Sequence, residues 1–373
     1  MGKFGFIFLI IIIALVGVGA LFFFTHDRQR NTADSTANKT TGAKTQKSME
    51  LVFSHQIFDP AKISHITPLG ELNGGYEEAQ ALGSVTIWIK PEAVANGSMV
   101  DVFAPTDMTL ESYAYYKTPD GNDWTLILRV TDDVRLKFDH ITQAVDKIVA
   151  ATTSTPKDNS AEESPKQKVS FTAGEKIAQT RGTNLAKNWN IYMYEGAHKN
   201  QFVNQKRYEQ GGERSVQKKL LNGVCPFNYY GQEVRAAYIA LMGATIAGQA
   251  NECGNVSKDV AGTLSGMWHF NKEAGEIREE RDGQYANPLS VYKNSAGQVI
   301  IDQLADVRFD LQGAPDPATV KESQCYVLVN SENRPAGYAF FKINSNMEMM
   351  LAYAPNGACP ATFPTTDAKT YYR

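Results

Sequence analysis

The chain has 373 residues, 43% hydrophobic and 21% charged, an ordinary balance for globular protein. Its net charge of -3 supplies no basic field, which argues against a nucleic-acid partner. The four cysteines, Cys225, Cys253, Cys325 and Cys359, all lie in the second half and none forms a C-x-x-C pair, so a metal cluster or a thioredoxin-type site is a poor match.

Phe4 to Phe24 are 21 consecutive uncharged, mostly apolar or glycine positions. At about 1.5 Å per residue they suffice to cross a hydrocarbon core of roughly 30 Å. The pattern predicts a transmembrane anchor over 1–25. A cleaved signal peptide is the competing reading, since Lys3 is a short positive leader and Val18-Gly19-Ala20 are small. Against it, the apolar run continues through Phe22, Phe23 and Phe24. Arg28, Arg30, Lys39, Lys44 and Lys47 outnumber Lys3, so the positive-inside count taken alone favours a cytoplasmic bulk. Residues 26–48 are rich in Thr, Ser, Asn and Lys with almost nothing to bury, and read as a flexible linker.

The remaining chain is longer than a single core usually takes and suggests two domains, 49–205 and 206–373. In the first, VDVFAPTDMTL (100–110), WTLILRVTDDVRLKFDHIT (124–142), VSFTAGEKIAQTRG (169–182) and NWNIYMYE (188–195) alternate apolar and polar positions between turn residues. That pattern predicts a mainly β protein with an antiparallel β-sandwich. The polar, Pro-containing run over 150–168 is a surface loop between sandwich strands.

In the second domain, GQEVRAAYIALMGATIAGQ (231–249) reads as one helix or two short ones. Short strands then recur about every ten residues: 265–270, 288–292, 298–302, 325–330, 336–343 and 347–353. This spacing suits a β-meander or small barrel. DVAGTLSGMWHF (259–270) is similar to the G-x-W strand of lipocalin-like barrels, with a tryptophan packed in any β core as the plainer alternative. If this half lies outside the cytoplasm, disulfides are expected. Cys225–Cys253 with Cys325–Cys359 is the simplest of the three pairings, and four buried free thiols in a cytoplasmic protein are the alternative.

The first domain resembles the lysostaphin-type (LytM-like) zinc metalloendopeptidases that cut bacterial cell-wall peptides. VFAPTDMTL (102–110) is similar to that family's V-y-A-P-x-d-G-x-V strand, with Met108 at a glycine position. VRLKFDHIT (134–142) places His140 at its inner-strand histidine, and AGEKIAQTRG (173–182) matches G-x-x-I-g-x-x-G. The strand that holds the family's H-x-H reads Asn188-Trp189-Asn190 here, and the segment for its first histidine and aspartate reads Gly75 to Gln80.

A hydrolytic zinc site needs about three nitrogen, sulfur or carboxylate ligands and one open position. Asparagine amides are neutral and weakly basic, and His140 alone cannot hold the metal. The resemblance therefore implies a degenerate, non-catalytic pseudoenzyme without metal. It would be anchored in the cell membrane with its bulk extracytoplasmic, and would bind or scaffold peptidoglycan glycan, peptide or another envelope protein. His140, Asn188, Asn190, Tyr192 and Tyr194 are the groove candidates, since alternate residues of one strand project to one side. The alternative is an active zinc enzyme whose ligands are recruited from His55, His65, Glu77 or Glu78.

Overall fold

Alternation along the predicted strands does produce sheets. The structure is a computed structural model. It describes residues 51–373 apart from 72–82, 119–120, 153–160, 211–219, 243–252, 271, 273–278, 282–283, 287, 295–296, 305–306 and 331–333. The predicted anchor over Phe4–Phe24, the linker over 26–48 and the segment Gly75–Gln80 lie outside the described residues. Among the described residues no helix is long and apolar enough to cross a membrane.

The protein is mainly β. Its first eleven strands are β1 (Ile63–Thr67), β2 (Ser84–Ile89), β3 (Val100–Phe103), β4 (Met108–Thr118), β5 (Gly121–Arg129), β6 (Val134–Ile141), β7 (Gln143–Ala144), β8 (Ser170–Phe171), β9 (Lys176–Thr180), β10 (Asn188–Glu195) and β11 (Gly223–Val224). A large antiparallel sheet runs β1-β2-β10-β6-β5-β4-β8, with β11 taking up the end of β10 beyond its pairing with β2. A second sheet, β3-β9-β7, pairs the two halves of the VFAP and AGEKIAQT segments.

Period-two alternation fixes which side of the large sheet is apolar. β10 sends Trp189, Ile191 and Met193 inward, β6 sends Leu136 and Phe138, and β2 sends Val85 and Ile87, where they join Val100, Val102 and Ile177 of the small sheet in one core. All of these are fully buried, each contributing roughly 1.5–3 kcal/mol by removal from water. A short helix, α1 (Asp146–Ala151), occupies the start of the predicted 150–168 loop, and Glu163 at its far end bridges to Tyr113 on β4.

Residues 220–242 and 253–256, assigned on sequence to the second domain, pack into the first core instead. Helix α2 (Gln205–Glu209) precedes them, and among them α3 (Gln232–Ala240) forms where a helix was predicted. Leu220, Phe227, Tyr238 and Val256 all belong to the core of the large sheet, and Phe53 pairs with Tyr230. Sequence composition sees the joint at the twin glycines near 211. The second apolar cluster begins some fifty residues later, at Leu264.

That cluster lies between two four-stranded antiparallel sheets. One is β12 (Gly266–Trp268), β15 (Leu289–Lys293), β16 (Val299–Leu304) and β17 (Val307–Leu311), with the hairpin β13 (Glu279–Arg281) and β14 (Gln284–Ala286) set apart between its first two strands. The other is β18 (Ser323–Val329), β19 (Pro335–Ser345), β20 (Glu348–Ala354) and β21 (Lys369–Tyr372). Trp268 is fully buried at its centre, its Nε1 donating to Leu264 O, and the Arg373 guanidinium lies 4.1 Å from its ring. Both expected disulfides are present, Cys225–Cys253 and Cys325–Cys359, with Cα separations of 6.1 and 5.9 Å.

Candidate functional site

The side of the large sheet turned away from the first core carries the alternate residues. These are Ser84, Thr86 and Trp88 on β2, Asn188, Asn190, Tyr192 and Tyr194 on β10, Lys137 and Asp139 on β6, and Asp123 and Thr125 on β5. Register arranges them in rows: Asn190 stands between Thr86 and Asp139, and Tyr192 between Ser84 and Lys137. Cross-strand neighbours on one face are within reach of each other, and here they join into a network. Thr86 Oγ1 donates to Asn190 Oδ1 at 2.8 Å, and Thr125 Oγ1 makes a short bond to Asp139 Oδ1. Lys137 Nζ lies 2.8 Å from Asp139 Oδ2 and 4.6 Å from the centre of the Tyr192 ring, which stacks on Tyr194.

His140 reaches this network by a backbone exception. Its φ is +61°, a left-handed conformation uncommon for a residue with a side chain, and Thr180 Oγ1 donates to its carbonyl at 2.6 Å. The imidazole stands beside β5, Nδ1 2.8 Å from Asp123 Oδ2. Burial opposes charge on the ring, but Asp123 and Asp139 outweigh it and hold His140 above its ordinary value. Burial likewise pushes Asp139 up and Lys137 down. Their mutual attraction wins in both cases, with His140 adding to it at Asp139, so both stay charged. Burial, then the negative field of Tyr192, Asp139 and Glu162, pushes the Tyr194 phenol well above its ordinary value.

Asn188, Asn190, Tyr192 and Tyr194 thus share a face as alternation predicts, and His140 and Asn190 both flank Asp139. Asn188 is drawn off to one end: Thr183 Oγ1 donates to its Oδ1 at 2.8 Å, in a turn that closes against its backbone at Gly182. Gly182 has φ +69°, and a Cβ there would sit 2.5 Å from the Asn188 nitrogen. Two hydroxyls of the face, Ser84 Oγ and Tyr194 OH, are buried with no hydrogen-bond partner among the described residues, as is Asp123 Oδ1. Buried polar groups left without partners are uncommon.

These residues do not fit a zinc ion. Asn188 and Asn190 spend their carbonyl oxygens on threonines, and among the described residues no three His, Cys, Asp or Glu side chains are grouped so as to hold a metal ion. His55 packs on Phe103 and His65 stacks on Trp88, while Glu77 and Glu78 lie outside the described residues. Sequence reading missed Thr86, Asp123, Thr125, Lys137 and Asp139. Their signal was present as polar residues two apart, Asp123/Thr125 and Lys137/Asp139, alternating with apolar ones. Compared with known proteins, the chain matches no family model, no curated protein and no solved structure.

Proposed function

We propose that the chain is a membrane-anchored, extracytoplasmic binding or scaffolding protein. In this reading its sandwich is a degenerate lysostaphin-type endopeptidase domain that engages envelope glycan or peptide, or an envelope protein, through the polar face of the large sheet. The observation that carries the reading is this face itself: amide, phenol, ammonium, carboxylate and imidazole groups held in register around Asn190 and Tyr192, with two buried hydroxyls still to be satisfied. Phenol rings and amide edges suit stacking on sugar rings and hydrogen bonding to an extended backbone. The apolar run Phe4–Phe24 and the two disulfides support placement outside the cytoplasm. Titration of muropeptides and glycan fragments into the purified chain tests it, with Trp88 as reporter because its indole is on this face, opposite Asn188. Saturable quenching is expected, and no change with any envelope fragment contradicts the reading.

A further inference from the structure

Segment 355–368 joins β20 to β21 without regular structure, and register shows where it runs. Cys325 on β18, Phe340 on β19 and Ala352 on β20 are cross-strand partners, so they share a face. It is the face opposite the one on which Tyr326, Phe341 and Leu351 enter the core. The Cys325–Cys359 bond therefore draws the segment from β20 back across β19 to the edge strand β18, as a strap. Phe363 meets Phe340 edge-on at 5.4 Å, with Lys342 Nζ 5.9 Å from its ring. Phe340 and Ala352 are only 8% and 4% exposed, though they stand outside the core. The strap leaves β20 over Gly337, whose φ is +103° and where a Cβ would meet Ala354 O at 2.0 Å. Among the described residues no hydrogen bond or ion pair ties 355–368 to the rest.

The two disulfides differ in setting. Cys225 and Cys253 are 2% and 0% exposed within the first core. Cys325 and Cys359 are only partly buried, and Cys325 lines an open cavity of about 300 Å³ with Leu311, Pro315, Tyr326 and Val327. Exchange depends on access of a thiolate to sulfur. We propose that Cys325–Cys359 is a thiol-exchange site, a latch whose reduction by a dithiol frees the 355–368 strap and uncovers the outer face of the β18–β21 sheet. A thiolate of the dithiol attacks Cys325 Sγ from the cavity, and the S–S electron pair leaves on Cys359, which takes a proton. The second thiol of the dithiol then attacks its own sulfur in the mixed disulfide and releases Cys325 as a thiol. The dithiol departs as a cyclic disulfide, two electrons having passed to the protein.

The test is graded reduction of the native chain with dithiothreitol, quenched by alkylation and followed by peptide mapping, circular dichroism and brief thermolysin digestion. Cys325 and Cys359 should be alkylated at reductant levels that leave Cys225–Cys253 intact and the spectrum unchanged. Cleavage beside Phe363 should then rise about tenfold or more, since it tracks the population of the opened strap. The double variant Cys325→Ser with Cys359→Ser should show the same fast cleavage without reductant; if it does not fold, the reduction series on the unaltered chain decides. Simultaneous reduction of both disulfides, reduction only with loss of the spectrum, or unchanged cleavage in the reduced chain overturns the proposal.

Discussion

Lys137 Nζ lies 2.8 Å from Asp139 Oδ2, two residues along one strand, and the pair is held between the Tyr192 ring on one side and Thr125 on the other. Both side chains are mostly buried, 15% and 20% exposed. Removing one partner of such a pair strands the other charge. Asp139→Asn should therefore lower stability by about 3–5 kcal/mol, read as a shift in the urea midpoint. Joint replacement by apolar residues, Lys137→Met with Asp139→Leu, should recover most of that loss. An unchanged midpoint for Asp139→Asn contradicts the pairing.

The same cluster fixes a pH dependence. His140 is held above its ordinary 6.5, so its contribution is complete below that value and is lost as pH rises through the raised folded value. Asp139 is held below its ordinary 3.8, so its contribution is present above that value and is lost as pH falls through the depressed one. Stability from this cluster should be greatest between about pH 4 and 6.5. His140→Gln should abolish the part of the decline between pH 5.5 and 8.0 that the wild-type chain shows in urea unfolding. Equal slopes for the two proteins contradict the assignment.

Arg373 fastens the second core. Its guanidinium, 2% exposed as a residue, donates to Thr263 O and Ser265 O at 2.8 and 2.6 Å and covers the Trp268 ring. Asp259 is its nearby counter-charge. Arg373→Met keeps the length and loses the donors, leaving the buried Thr263 carbonyl unsatisfied at about 1–3 kcal/mol, while Ser265 O keeps the bond from Val260 N. Differential scanning calorimetry should show a lower transition for Arg373→Met, together with a change in the near-ultraviolet signal of Trp268.

With amides where the resemblance asks for histidines, the chain should not hydrolyse peptidoglycan. Incubation with cell-wall sacculi or glycine-rich peptides and added zinc should release no new amino termini. Cleavage that is lost with chelator and with His140→Ala contradicts this.

Much of the fold was legible because alternation reports which side of a strand is buried. Trp189, Ile191 and Met193 against Asn190, Tyr192 and Tyr194 is a pattern any reader of the chain can see. The cysteine pairing was also open to a guess from spacing. What alternation does not report is the partner strand, so the rows that bring Thr86 and Asp139 to Asn190 emerge only from pairing across about a hundred residues and about fifty. His140 faces this network through one left-handed residue, a conformation with no sequence mark at a histidine. The capture of 220–242 and 253–256 by the first core was hidden for a related reason. Their turn signals mark where the chain bends, and their burial is decided by the apolar surface they meet.

Binding to wild-type, Asn190→Ala and Tyr192→Ala chains, compared with variants in 256–353, is the decisive measurement. Muropeptide or glycan fragments titrated against Trp88 fluorescence should bind the wild type and the 256–353 variants alike. Asn190→Ala and Tyr192→Ala should each weaken binding about tenfold, near the 1.4 kcal/mol of one lost hydrogen bond or ring contact. Binding untouched by those two substitutions and abolished by changes in 256–353 would place recognition in the second core and contradict a groove on the large sheet.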